Sequence, residues 1–423
     1  MGRPRVVFVV GATGTGKTRL GVQLAQAFNG EVVNADSLQM YKGLDIGTAK
    51  VTPEEADGVP HHLLSFLEPH EVFCVREFRE KATGVIADLV SRGKLPVVVG
   101  GTLYYVQALL RESTLGKEEA AAGPPEAPVV PANPGEALYD YLSRVDPVMA
   151  SRLHPNNTRK ISRSIEMYQA TGVPQSVLLE RQAARLASAV GPYNACVLWL
   201  DAEREVLNAR LDARVDTMMA AGLLDEVRGL VDTLGVPEAV EGGEGEGEGG
   251  AAAGAGGLAL DAPKRGAVGL LQAIGYKEFS AYLRLVAGGA AASEATAALA
   301  DCVTTLKTTT RRYARQQERF VRNRFIARGV PVHRLDTSDP GKWETEVRAP
   351  AVARVEALLR GEASGAVPAT SDVDRIKAWR KYRCDACGRV LDGELEWQQH
   401  LRTRKHANAV RKRRREEGAP EEE

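Results

Sequence analysis

The chain has 423 residues, 44% hydrophobic and 26% charged, which allows about two or three domains around a sizeable buried core. Lys plus Arg and Asp plus Glu number 55 each, so net charge alone argues for no polyanionic partner. No apolar run approaches the roughly 20 residues of a spanning helix, no signal pattern precedes the first motif, and five cysteines in so long a chain exclude a disulfide framework. The default is a protein of the cytosol with no membrane contact, with nucleus and mitochondrion left open.

Arg5–Val10 is an apolar run that reads as a strand, and Thr18–Phe28 reads as a helix. Between them Gly11, Ala12, Thr13, Gly14, Thr15, Gly16, Lys17 and Thr18 spell a complete G-x-x-x-x-G-K-[ST] phosphate loop. Backbone N–H groups of such a loop converge on phosphate oxygens at a helix N-terminus, while Lys17 adds a point charge and Thr18 a hydroxyl for Mg²⁺. A polyphosphate is expected here, and the motif does not say which. Glu31–Asn34, Val75–Arg92 and Pro96–Val99 continue a βαβ rhythm, predicting a P-loop NTPase-like α/β fold whose parallel sheet carries helices on both faces. Asp36 follows one predicted strand and Thr102, after Gly100-Gly101, follows another, so both fall on the carboxyl edge where open α/β sheets bind ligands.

Ser113–Pro134 reads as a Pro-rich linker, and the helical patterns from Glu136 to about Ala189 predict a small helical domain inserted between sheet strands. Cys196–Leu200, ending in Asp201, returns the chain to the sheet. Pro237–Pro263 alternates Glu or Ala with Gly, cannot bury enough apolar surface, and is expected to be a disordered loop. From Gly269 to about Phe325 the pattern is helical again. Arg311, Arg312, Arg315, Arg319 and Arg322 recur there at spacings of three to four, a basic stripe suited to a phosphate backbone. The expected domains are therefore 1–112 and 191–335 as two parts of the core, 113–190 as linker and insertion, 336–378 as a helical connecting region, and 379–415 as a terminal module.

In that module Cys384, Cys387, His400 and His406 have the Cys-x₂-Cys…His spacing of a tetrahedral Zn²⁺ site, with helical character over Leu395–Leu401, predicting a structural C2H2 zinc finger. The two histidines are six apart, about 240° on a regular helix, so the helix must loosen or end between them. Arg411–Arg415 reads equally as a phosphate-contacting tail or a nuclear import signal.

Eight motifs then occur in order: the phosphate loop, 34–42 with 45–50, Pro60-His61-His62, Val99–Thr102, His154-Pro155-Asn156 with 159–163, 210–218, Gly275-Tyr276-Lys277, and 310–322. Together, over residues 5 to about 330, they resemble the tRNA dimethylallyltransferases, also called tRNA isopentenyltransferases, whose eukaryotic members carry a terminal C2H2 zinc finger. The resemblance implies transfer of the dimethylallyl group of dimethylallyl diphosphate to N6 of the adenosine 3′ to the anticodon. Asp36 would be the base, and Thr102 and Arg214 would act on the diphosphate held by Gly11–Thr18. The tRNA anticodon stem-loop would be met by Asp36, Ser37, Leu38 and Gln39, by Arg159, Lys160, Ile161, Ser162 and Arg163, by Gly275, Tyr276 and Lys277, and by Arg315, Arg319 and Arg322. Mg²⁺ at Thr18, structural Zn²⁺ and a monomeric state complete the expectation. Two other classes compete: a P-loop small-molecule or nucleotide kinase that binds ATP, and a noncatalytic zinc-finger RNA-binding protein.

Overall fold

The computed structural model describes residues 2–110, 137–153, 157–179, 191–234, 270, 275–362, 381–387, 390–392 and 394–416. The linker 113–134, the His154-Pro155-Asn156 motif, the loop 237–263 and the connection after residue 362 lie outside the described residues. The chain divides into two compact units, one of residues 1–319 with 333–364 and the other of 320–332 with 365–423.

The first unit is built on a six-stranded sheet in the order β3-β2-β4-β1-β5-β6, with β1 Arg5–Gly11, β2 Gly30–Asn34, β3 His61–His62, β4 Leu95–Val99, β5 Asn194–Asp201 and β6 Val332–Asp336. Four neighbouring pairs are parallel, with Val7 opposite both Val97 and Cys196. Strands buried on both faces are read as near-continuous runs of branched residues, and Val6, Val7, Phe8, Val9 and Val10 are all fully buried. Helices α1 Lys17–Ala27, α2 Val75–Ser91 and α3 Leu103–Leu110 supply the crossovers and packing. Parallel register sends the chain out of β1, β2 and β4 on one edge, which brings the phosphate loop, Asp36 and Gly100-Gly101 together as expected.

The stretch expected as a connecting region after residue 335 is instead part of this core. β6 extends the sheet beside β5, where Thr337 N–H donates to Asp201 O at 2.8 Å and Arg334 Nε to Asp201 Oδ2 at 2.7 Å. Trp343, Val347, Ala351, Val355 and Leu358 pack in one apolar cluster with Val7, Leu20, Leu24 and Leu198. A helix running Ala349–Arg360 buries Ala351, Val355 and Leu358, a 3.6-residue stripe that needs a partner face.

Within the insertion, helices Leu138–Val145, Pro147–Arg152 and Thr158–Thr171 share a small core of Tyr141, Leu142, Ala150, Ile161 and Ile165. The second unit carries a two-stranded antiparallel ribbon, β7 Lys381–Arg383 with β8 Val390–Asp392, followed by helices Glu394–Leu401 and Arg404–Glu416.

Candidate active site

The carboxyl edge of the sheet opens into a cavity of about 600 Å³ lined by the phosphate loop, Asp36–Gln39, Gly47–Ala49, Gly100-Gly101, Arg214 and the long helix Ala292–Phe320. The loop's shape depends on glycine. Gly16 has φ +86°, and a Cβ there would stand 2.8 Å from the Trp343 ring. No L side chain fits that combination of left-handed backbone and close approach. Gly100 answers a second close approach, since its Cβ would lie 2.2 Å from the Ala35 carbonyl.

Lys17 Nζ donates to Ala12 O at 2.7 Å. Burial lowers its pKa from 10.5 to about 8; Arg214 adds to the drop and Asp36 opposes it. The Asp36 carboxyl is pushed above the usual carboxylate range by burial, against the pull of the Leu38 N–H and the charges of Lys17 and Arg214. The Arg214 guanidinium is itself shifted down by burial, with Asp36 opposing. These three groups feel one another's charge across the cavity.

Asp36 is held by its own turn. Asn34 Oδ1 accepts from Asp36 N–H at 3.0 Å and Asp36 Oδ1 accepts from Leu38 N–H at 3.1 Å. Thr102 sits on the same edge and bonds to the neighbouring turn. Its Oγ1 accepts from Ser37 N–H at 2.9 Å and lies 3.1 Å from Ser37 Oγ. Its hydroxyl thus braces the turn that carries Asp36.

Gln317 also enters the site, though no motif singles it out. This buried side chain accepts from Thr13 N–H at 2.8 Å and donates to Gly101 O at 2.9 Å, tying the phosphate loop to the Gly-Gly turn. Thr310, Tyr313 and Gln317 line the cavity at i, i+3 and i+7 of the long helix, a spacing that was available in the sequence as the face opposite the arginines. Burial and the nearby Asp36 raise the Tyr313 phenol pKa, so it stays protonated.

Several expected RNA-facing residues are placed otherwise. Ile161 is 1% exposed in the insertion core, because it shares a helix face with Ile165, whereas Arg159 and Lys160 are exposed. Arg163 pairs with Glu166 at 3.1 Å and Ser162 is half-buried. Tyr276 is 3% exposed and its phenol donates to Glu226 Oε1 at 2.9 Å, so its ring is core; Gly275 lines the cavity and Lys277 is exposed. Of the arginine stripe, Arg311 Nη1 donates to both carboxylate oxygens of Asp212, at 2.8 and 2.6 Å. Arg204–Glu318 and Lys307–Asp216, both at 2.6 Å, stitch the same two helices and leave Arg312, Arg315 and Arg319 exposed. Arg322 is exposed in the second unit.

In that second unit the ligand atoms of Cys384, Cys387, His400 and His406 all lie within 4.8 Å of one another. Cys384 Sγ is 3.4 Å from His406 Nδ1, and Cys387 Sγ is 3.6 Å from His400 Nε2 and 3.5 Å from His406 Nδ1. Tetrahedral bonds from zinc to one sulfur and one nitrogen put those atoms about 3.5 Å apart, so the donor set fits the metal. The helix does end between the histidines. Thr403 Oγ1 accepts from His406 N–H at 3.2 Å and starts the second helix, which lets both imidazoles converge.

A family model described as IPP transferase matches residues 39–324, and one described as isopentenyl transferase matches residues 4–65. The tRNA dimethylallyltransferase of Mus musculus is 38% identical over 425 residues, covering 97% of this chain and 86% of that protein. The chain belongs to the tRNA dimethylallyltransferase family. The Homo sapiens tRNA dimethylallyltransferase is 37% identical over 428 residues, again with 97% and 86% coverage. Among solved structures, a eukaryotic dimethylallyltransferase captured acting on tRNA matches with TM-score 0.74 and 28% identity over 98% of both chains. A tRNA isopentenylpyrophosphate transferase from Bacillus halodurans matches with TM-score 0.53 and 33% identity, over 85% of this chain and 99% of that one. The P-loop-like sheet and the four-ligand terminal module of this tRNA dimethylallyltransferase family member accord with those likenesses.

Proposed function

We propose that the chain transfers the dimethylallyl group of dimethylallyl diphosphate to N6 of the adenosine 3′ to the anticodon of tRNA. The observation that carries the reading is one cavity holding a carboxylate of raised proton affinity, Asp36, opposite a phosphate loop and Arg214. The adenine amine is a weak nucleophile, its lone pair delocalised into the ring, and it must lose a proton as it bonds to carbon. Asp36 takes that proton while the C–O bond to diphosphate breaks and the C–N bond forms. Loop N–H groups, Lys17 and Arg214 stabilise the charge that develops on the leaving pyrophosphate. Carbon is attacked and phosphorus is not, so the phosphate loop acts without ATP. Thr18, which lines the cavity, would hold Mg²⁺, whose charge would further neutralise the diphosphate.

On this reading Arg159, Lys160, Arg163, Lys277, Arg315, Arg319 and Arg322 meet tRNA phosphates, and a base splayed from the anticodon loop enters beside Asp36–Gln39. The zinc-loaded terminal module adds RNA contacts without touching the chemistry, and a monomer in the cytosol suffices. The test is incubation with Mg²⁺, unmodified tRNA and labelled dimethylallyl diphosphate, repeated with ATP and small acceptors. Label should enter tRNA without ATP, and Asp36→Ala should cut transfer by about 10²–10⁴-fold while tRNA still binds. Transfer that survives Asp36→Ala, or label moving only from ATP, refutes the mechanism.

A further inference from the structure

Glu226 sits in the first turn of the helix Leu223–Leu234, some 180 residues from the loop that it holds. Its Oε2 accepts from Asp45 N–H and from Ile46 N–H, both at 2.7 Å, and its Oε1 accepts from Gly47 N–H at 2.8 Å and from the Tyr276 phenol at 2.9 Å. Three successive backbone N–H groups facing one anion form a nest, here filled by an internal carboxylate. Burial and the adjacent carboxylate raise the Tyr276 pKa, so the phenol keeps the proton that it donates. The packing is close: a Cβ on Gly47 would lie 3.1 Å from both Leu223 Cδ1 and the Tyr276 hydroxyl, and 3.2 Å from Glu226 Oε1.

What the nest fixes is a wall of the cavity. Gly47, Thr48 and Ala49 line it, and the carbonyls of Thr48 and Ala49 accept from Gln39 Nε2 at 3.1 and 3.4 Å. An amide nitrogen turned onto two carbonyl oxygens settles the orientation of the Gln39 side chain, since the opposite flip would set oxygen against oxygen. Its carbonyl oxygen is left as the polar end for a ligand.

We propose that Glu226 is a positioning residue that sets base selectivity: by clamping residues 45–47 it holds Gln39 so that the cavity accepts a base edge bearing an N–H donor. The inference rests on the adenosine-N6 reading above and adds the element that enforces it. A base with an exocyclic amine satisfies the Gln39 carbonyl. A purine lacking that amine leaves the carbonyl desolvated and unpaired.

The test uses the full chain and two anticodon stem-loops, one with adenosine and one with purine riboside at the reacting position, in competition binding. Wild type should prefer adenosine by about tenfold, the order expected for one buried unpaired acceptor. Glu226→Gln, which points an NH₂ group at the backbone donors, should lower the preference to the part that Asp36 still confers, as should Gln39→Ala. Combining the two should have no further effect. Gly47→Ala, which pushes on the clamp from the other side, should lower the preference as well. Tyr276→Phe keeps all three amide bonds and should retain it. A merely structural Glu226 would weaken both stem-loops equally, and a preference that persists in both Glu226→Gln and Gly47→Ala overturns the clamp alone. A wild-type protein that transfers no dimethylallyl group to tRNA overturns the functional reading instead.

Discussion

Replacing Lys17 by Met should stabilise the ligand-free protein while removing its grip on the diphosphate. Burial takes the Lys17 pKa from 10.5 to about 8. At about 1.36 kcal/mol per pKa unit, this corresponds to about 3 kcal/mol against the charged form at neutral pH. The variant gives up the 2.7 Å bond from Nζ to Ala12 O, worth about 1 kcal/mol net, and the charge that helps Asp36 ionise. A net gain of about 1–2 kcal/mol remains, or about 2–6 °C in Tm for a unit of this size. The sign with pH follows from linkage. The folded state binds this proton less tightly than the unfolded state, so wild-type stability rises, relative to the variant, as pH climbs from about 8 towards 10.5. The advantage of Met is therefore full below pH 8 and shrinks above it. Thermal unfolding at neutral and at alkaline pH, with and without dimethylallyl diphosphate, reads both effects, and the ligand should raise Tm less in the variant than in wild type. A variant less stable than wild type at neutral pH, or one whose advantage grows in alkali, refutes the reasoning.

Gln317→Ala leaves Thr13 N–H and Gly101 O unpaired, so KM for dimethylallyl diphosphate should rise about tenfold while KM for tRNA moves less, as steady-state kinetics in each substrate would reveal. Arg315→Ala should lower the salt slope of tRNA binding by about 1, whereas Arg311→Ala, which breaks the pair with Asp212, should lower Tm and leave the slope in place. Chelation of zinc, or Cys387→Ala, should cost the helical signal of residues 394–416 and weaken tRNA affinity more than it slows transfer at saturating tRNA. An affinity unchanged by chelation would argue against an RNA role for the module.

The cavity's anion-facing half was legible from local pattern. A glycine-rich loop between strand and helix, an acid after the second strand and Gly100-Gly101 after the fourth each announce a sheet's carboxyl edge, because parallel strands expose their ends together. The Cys and His spacing did the same for the metal ligands, down to the helix break before His406. Illegible were the pairings made across the fold. Gln317 meets Thr13 across 304 positions and Glu226 meets Gly47 across 179, and no periodicity encodes a partner at that distance. The same blindness made Arg311 look exposed and gave Ile161 and Tyr276 to RNA, since a motif tells which residues recur and not which way a side chain turns. Thr102 falls on the edge where the pattern put it, and only the fold shows that its hydroxyl meets Ser37.

Trp343 gives the phosphate loop its floor: its ring lies against Gly16, Arg19 stacks over it at 4.4 Å, and its Nε1–H donates to Gln23 Oε1 across 320 positions at 2.9 Å. During synthesis the loop leaves the ribosome first, and the tryptophan follows on the order of tens of seconds later at ordinary elongation rates. Until then the nascent loop has no completed seat, so its final shape is a late event in biogenesis. A transcript ending before codon 343 would encode all eight ordered motifs of residues 11–322, yet its product would leave the underside of the phosphate loop open to water.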